Sequence, residues 1–159
     1  MRKNKKIQDL LKQIKRLKQL SLCDELTGLF NRRQLKIDLN RYLDLNKRHG
    51  IKFSILMIDV DNFKSINDNK GHKFGDKVLK LIALTIKNTI RQTDKCYRLE
   101  GDEFIVILSH HTAIDTFIKR LNYKLAEQGI TVSIGHCYIC KDCLEIIDAN
   151  MYKMKRGKK

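Results

Sequence analysis

Arg98-Leu99-Glu100-Gly101-Asp102-Glu103-Phe104 decides how this chain is read. Strand-like runs at 95–99 and 103–108 flank Glu100-Gly101-Asp102, which predicts a β-hairpin with acids at its tip. A second acidic cluster, Asp59-Val60-Asp61, ends another strand-like run, Phe53 to Ile58. Carboxylates at the ends of neighbouring strands suit a hard divalent cation, which takes oxygen ligands from one or two carboxylates and completes its shell with phosphates. The pattern points to phosphoryl transfer on a nucleotide.

Outward from this hairpin, the chain alternates helical and strand-like stretches. Leu35, Leu39, Tyr42 and Leu43 give one helical face between Arg32 and His49, with Gly50 placed to stop it. A strand is expected at 52–59. The polar segment 61–76, which holds Gly71 and Gly75, reads as a connection, and Val78, Leu81, Ile82 and Ile86 mark the next helix. Helix 113–126, strand 130–139 and helix 144–154 follow. This order predicts an α+β fold in which helices cover a mainly antiparallel central sheet.

Two domains are expected: an amphipathic or coiled-coil helix at 1–20 and a single globular unit at 21–159. Ile7, Leu10, Ile14 and Leu17 recur at alternating spacings of three and four. Ile at the first heptad position and Leu at the fourth favour parallel two-stranded coiled coils, so this short helix either joins two copies into a homodimer or packs as an amphipathic helix on its own domain.

The 159 residues carry a net charge of +15. Its distribution argues against specific nucleic-acid binding, because residues 1–20 hold eight Lys/Arg against one Asp, and residues 153–159 hold five basic groups without an acid. The body between them is nearly balanced. No apolar run approaches the ~18 residues of a membrane span, and no export signal follows the basic start, so a cytoplasmic protein is expected. Five cysteines without an export signal do not suggest a disulfide framework. Cys137, Cys140 and Cys143 form a C-x-x-C-x-x-C run, part of a metal or iron–sulfur pattern, but a fourth thiolate would have to come from distant Cys23 or Cys96. Reduced, partly buried thiols are the simpler expectation.

Asp24-Glu25-Leu26-Thr27-Gly28-Leu29-Phe30-Asn31-Arg32-Arg33 resembles the opening signature of the GGDEF family of diguanylate cyclases. The resemblance continues through Ile58-Asp59-Val60-Asp61-Asn62-Phe63-Lys64-Ser65-Ile66-Asn67-Asp68, Gly71-His72, Gly75-Asp76 and the hairpin heptapeptide. It resumes at Ser133-Ile134-Gly135 and at Asp148 to Lys155. It implies the polymerase-palm-like fold of nucleotidyl cyclases and the condensation of two GTP into cyclic di-GMP with release of pyrophosphate. Carried over residue by residue, it implies that Asp59, the Val60 carbonyl and Asp102 hold Mg²⁺, with Mn²⁺ as the alternative. Asp102 or Glu103 would help deprotonate the attacking hydroxyl. Lys64 and Lys155 would bind phosphate, Phe63 would line the substrate site, and Asn67 and Asp76 would read guanine. Arg91-Gln92-Thr93-Asp94 matches the family's inhibitory R-x-x-D position, which implies cyclic di-GMP binding at Arg91 and Asp94.

The chain departs from the family in two places. Glu100 replaces the first glycine of the signature, so either the turn strains a glutamate at positive φ or it adopts a form in which only Gly101 is left-handed. A third carboxylate there would repel a triphosphate or add a metal ligand. Near the C-terminus Gly157 comes one residue early, and Lys158 or Lys159 stands where the family has an arginine. An alternative reading is therefore a degenerate domain that binds GTP or cyclic di-GMP as a regulatory module. A cyclase making another dinucleotide is a third, which Asp76 disfavours.

Overall fold

The computed structural model describes residues 6–8, 10, 11, 13, 14, 17, 21–109 and 114–157, with side chains described through Tyr152. Nine elements follow the N-terminal segment: α1 (Arg32–His49), β1 (Ser54–Val60), α2 (Phe63–Lys70), α3 (His72–Lys87), β2 (Lys95–Glu100), β3 (Glu103–Leu108), α4 (Ile114–Ala126), β4 (Val132–Tyr138) and α5 (Cys143–Gly157). The strands form one sheet in the order β2-β3-β1-β4, with every neighbouring pair antiparallel. The chain therefore makes a split βαβ arrangement, in which the crossover from β1 passes over the place later filled by β3. The α+β expectation holds.

β1 lies between two strands, and all seven of its residues are buried. Its two faces follow from the period of two in a strand. Leu56, Ile58 and Val60 join Phe104, Val106, Val132 and Ile134 beneath α3 and α4. Ile55 and Met57 join Ile105, Ile107 and Tyr97 beneath α1 and α5, which contribute Leu35, Leu39, Ile147 and Met151. Asp59 is the next residue on that second face.

α1 starts where the Asn31 side chain accepts hydrogen bonds from the backbone N–H groups of Arg33 and Gln34, at 3.0 and 3.2 Å. It ends at left-handed Gly50, with Lys47, Arg48 and His49 in its last turn, where cations suit the helix dipole. One acid anchors this helix to the sheet. Asp38, 4% exposed, accepts hydrogen bonds from Gln34 Nε2 (2.9 Å), Lys95 Nζ (2.7 Å) and Tyr97 Oη (2.9 Å). Burial works against its charged form, and these donors outweigh that cost to hold its carboxyl below the usual range.

The segment 61–76 is a correction to the sequence reading. It is not a connection but helix α2, a break at Gly71, and the first turn of α3. α2 has no buried residue, so the apolar period that announces the other helices is missing. The N-terminal segment is helical at its described residues, and Ile7, Leu10, Ile14 and Leu17 are 54, 49, 47 and 65% exposed. The remainder of the expected helix at 1–20 lies outside the described residues.

Candidate functional site

The site forms where β1 ends and β3 begins. Asp59 pairs directly with Glu103 in the antiparallel register, and Ser133 faces Asp59 from β4 on the other side. Asp59 is 6% exposed, and Glu103 is half-buried. α5 roofs the same cleft, a cavity of about 530 Å³ lined by Asp59, Glu103, Glu145, Asp148 and Tyr152. Asp61 turns instead to the sheet, where its carboxylate accepts a 2.6 Å hydrogen bond from Ser133 Oγ.

Asp102 sits in the two-residue turn between β2 and β3. Gly101 has φ 53°, whereas Glu100 and Asp102 are not left-handed. Of the two turns the sequence allowed, the hairpin adopts the one that leaves Glu100 unstrained. A register shift between Arg98 and Glu100 breaks the β2–β3 ladder just before the tip. The Glu100 carboxylate is 83% exposed and stands 3.9 Å from Arg32 Nη1 on α1.

Arg98 ties this tip to the loop before α1. Its Nε and Nη2 donate to the Gly101 carbonyl at 3.0 and 2.7 Å, while Nη1 donates to both carboxylate oxygens of Asp24 at 3.0 and 3.2 Å. Asp24 also accepts from the Thr27 backbone N–H at 2.9 Å. Burial opposes ionisation of Asp24, but the hydrogen bonds from Thr27 and Arg98 hold its carboxyl below the usual range. The backbone continues the connection, since Arg98 N–H donates to the Phe30 carbonyl at 2.8 Å and this loop covers the edge of β2.

The other sequence-predicted site residues come from the β1–α2–α3 segment. Asn62 has φ 57° and is the only left-handed non-glycine among the described residues. It turns the chain so that α2 starts at Phe63 with no side-chain cap. A helix start of this kind presents backbone N–H groups suited to phosphate oxygens. Phe63 is half-buried and Lys64 exposed on the same turn. Further on, α2 and α3 bring Asn67 and Asp76 into one neighbourhood. Asn67 Oδ1 is buried without a hydrogen-bond partner among the described residues and rests against Gly75, while Asp76 is exposed. Lys155 belongs to α5, but its side chain, like all of Lys159, lies outside the described residues.

Arg91 and Asp94 lie at the other end of β2. The six residues of that strand separate them from the hairpin tip by about 20 Å at ~3.3 Å per residue. Asp94, 9% exposed, accepts 2.9 Å hydrogen bonds from Arg91 N–H, Ser109 N–H and Ser109 Oγ, so its carboxylate also braces the turn. A cavity of about 180 Å³ here is lined by Arg91, Asp94, Thr116, Phe117 and Arg120. The sequence reading missed Arg120. Its only signal was a cation between Phe117 and Leu121, two buried positions of α4.

The three clustered cysteines differ in burial. Cys143 is buried, Cys140 exposed, and the half-buried Cys137 thiol contacts the Cys143 carbonyl at 3.5 Å. Burial, and then the neighbouring thiols, push Cys137 up to about 12, which keeps it protonated at neutral pH.

Among the described residues, no group of three or more His, Cys, Asp or Glu side chains could hold a metal ion alone. The sequence-predicted donors near the strand ends are of the chemical type that Mg²⁺ takes. Asp59, Asp102 and the Val60 carbonyl offer hard oxygens, and a bound triphosphate and water would complete the shell. No helix among the described residues is long and apolar enough to cross a membrane.

Comparison with known proteins agrees with this geometry. The family model described as diguanylate cyclase, GGDEF domain, matches residues 21–159. A diguanylate cyclase of Vibrio cholerae is 35% identical over 167 residues, covering 95% of this chain and 52% of the relative. The probable diguanylate cyclase DgcJ of Escherichia coli is 33% identical, covering 87% of this chain and 30% of the relative. The chain thus spans about half or less of the length of these relatives. Among solved structures, diguanylate cyclase SiaD of Pseudomonas aeruginosa, crystallised with its activator SiaC, superposes with a TM-score of 0.81 at 30% identity, over 98% of this chain and 68% of that one. The coiled coil and GGDEF domain of DgcB from Caulobacter crescentus, in complex with c-di-GMP, shares the fold with a TM-score of 0.89 at 23% identity, over 98% and 91% of the two chains. With its acidic hairpin beside Asp59 and a family match over nearly the whole globular unit, this chain belongs to the GGDEF diguanylate cyclase family.

Proposed function

We propose that this protein condenses two GTP into cyclic di-GMP and releases two pyrophosphates. The observation that carries this reading is the apposition of Asp59 and Glu103 across β1 and β3, one residue from Asp102 at the hairpin tip. In each half-reaction a ribose 3′-oxygen bonds to the α-phosphorus of the other GTP. The bond from that phosphorus to the β-phosphate oxygen breaks, and pyrophosphate leaves. The hydroxyl proton passes to a carboxylate, for which Asp102 and Glu103 are the candidates.

Asp59, the Val60 carbonyl and Asp102 would hold Mg²⁺ or Mn²⁺, which supplies charge neutralisation on the triphosphate. The N-terminus of α2 and Lys64 receive phosphate oxygens, and Lys155 and Lys159 are the further phosphate-binding candidates that the sequence offers. Asn67 and Asp76 select the base. A carboxylate that accepts from guanine N1–H and N2–H finds no such pair of donors on adenine, so ATP leaves polar groups unmatched. One domain holds one GTP, and a second copy must supply the other. The exposed Ile7, Leu10, Ile14 and Leu17 suit a homodimeric seam, and the related DgcB structure contains a coiled coil.

Purified protein incubated with GTP and Mg²⁺ should yield cyclic di-GMP by mass spectrometry, and Asp59→Ala should abolish it. Absence of product from a concentrated dimer would refute the cyclase reading. The cavity at Arg91, Asp94 and Arg120 favours a second property, cyclic di-GMP binding at the far end of β2, with product inhibition if the enzyme turns over. If calorimetry finds tight cyclic di-GMP binding that Arg91→Ala removes, in a protein without turnover, the domain is a regulatory module.

A further inference from the structure

We infer that Gly75 is the positioning residue for base selection, because its missing side chain makes the slot that orients the Asn67 carboxamide. The inference rests on the reading of Asn67 and Asp76 as base-contacting residues. Gly75 is buried in the first turns of α3, immediately before Asp76. Glycine disfavours a helix interior relative to alanine, so a glycine here calls for a reason. Backbone conformation is not that reason, since Gly75 is absent from the left-handed glycines of the chain.

The reason lies across the α2–α3 contact. A Cβ placed on Gly75 would collide with Asn67 Oδ1, and would lie 3.0 Å from Asn67 Cγ and 3.2 Å from Phe63 Cζ. Its three nearest neighbours are thus all side-chain atoms. A methyl group can enter if the carboxamide rotates away and the Phe63 ring gives by a few tenths of an ångström, while the helices stay in place. Gly135 is the contrasting case, because a Cβ there meets the Ile147 carbonyl and the Met151 backbone nitrogen, which cannot step aside.

The slot holds the Oδ1 end of the carboxamide. Asn67 is half-exposed, yet its Oδ1 is buried without a hydrogen-bond partner among the described residues. Resting the oxygen on Gly75 leaves the NH₂ end to donate to a ligand. Beside it, Asp76 offers an acceptor. The Asp76 acceptor suits the adjacent N1–H and N2–H of guanine, a pair of donors that adenine lacks, and the Asn67 donor suits a guanine ring acceptor beside them. Gly75 therefore acts on the nucleotide through Asn67.

The test is a double-mutant cycle on the full chain with Gly75→Ala, Asn67→Ala and the pair, read by titration of a fluorescent GTP analogue and competition by GTP and ATP. Gly75→Ala should weaken GTP by about tenfold, the scale of one misplaced hydrogen bond, and reduce the preference for GTP over ATP by a similar factor. In the Asn67→Ala background it should add less than about twofold. The Asn67 side-chain amide resonances should move in Gly75→Ala, and its melting temperature should not fall. Unchanged GTP binding in Gly75→Ala, or an equal loss in the Asn67→Ala background, overturns the inference. Failure of Gly75→Ala to fold also overturns it, because it would mean that more than two movable side chains oppose the methyl. If Asn67→Ala itself binds GTP normally, the base-contact reading above is wrong and this inference falls with it. If Asn67→Ala weakens GTP and Gly75→Ala does not, only the role of Gly75 fails.

Discussion

Glu100 is the residue on which the chain differs most visibly from its family's signature, and its surroundings make that difference mild. Its backbone is not left-handed, and its carboxylate projects toward Arg32 at 3.9 Å with both side chains largely exposed. An exposed pair of this kind contributes little to stability. Glu100→Gly should therefore change cyclase turnover by no more than about threefold, equivalent to under ~1 kcal/mol of barrier, as read by pyrophosphate release. A gain of several orders of magnitude would mean that the glutamate repels the triphosphate. Asp38 is the opposite case, a buried acid holding three donors. Asp38→Ala leaves Tyr97 Oη and Lys95 Nζ without that partner and should cost about 3 kcal/mol in urea unfolding at pH 7. The folded carboxyls of Asp38 and Asp24 are both depressed below the ordinary 3.8. The stability they contribute is thus fully present above that value and lost as pH falls through their lower folded values. The difference between wild type and Asp38→Ala should accordingly shrink below about pH 3.8, as measured by unfolding between pH 2 and 7. The acid at position 38 was visible in the sequence, but its partners 57 and 59 residues away were not.

At the scale of elements, α5 lies close against β4 because Gly135 lets it. A Cβ at Gly135 would collide with the Ile147 carbonyl and stand 2.7 Å from Met151 N and 3.0 Å from Met151 Cβ. Gly135→Ala should push α5 off the sheet and cost about 3 kcal/mol or more, seen as a large fall in melting temperature. Because α5 roofs the cleft over Asp59 and Glu103, the same change should remove cyclase activity. Strands and amphipathic helices were legible from their periods, since each buries an apolar row. α2 was not legible, because a helix without a buried residue leaves no such trace. Its place follows instead from the turn at Asn62, the break at Gly71 and contact with α3.

For the whole molecule, the two candidate sites occupy opposite ends of β2, so product bound at Arg91 would reach the hairpin through the strand or by docking two domains together. Arg91→Ala and Arg120→Ala should each weaken cyclic di-GMP binding by roughly tenfold or more by calorimetry, the scale of a charge-assisted contact, and relieve inhibition without changing initial turnover. The dimer is the other molecular-scale expectation. Replacing Leu10 and Leu17 by aspartate should shift sedimentation toward monomer and remove cyclic di-GMP synthesis while GTP binding persists, because two bound substrates must face each other. Local pattern alone determined the α+β class, the order of the strands along the chain and the motif stretches that place it in its family, since periodicity and motif spacing are properties of neighbouring residues. Tertiary structure decided that Glu103 faces Asp59, that Arg98 joins the hairpin to Asp24, that Arg120 enters the Arg91 cavity and that Asn67 rests on Gly75. Each of these depends on strand register or on how closely two helices approach, and such contacts between distant segments are set only when the core packs.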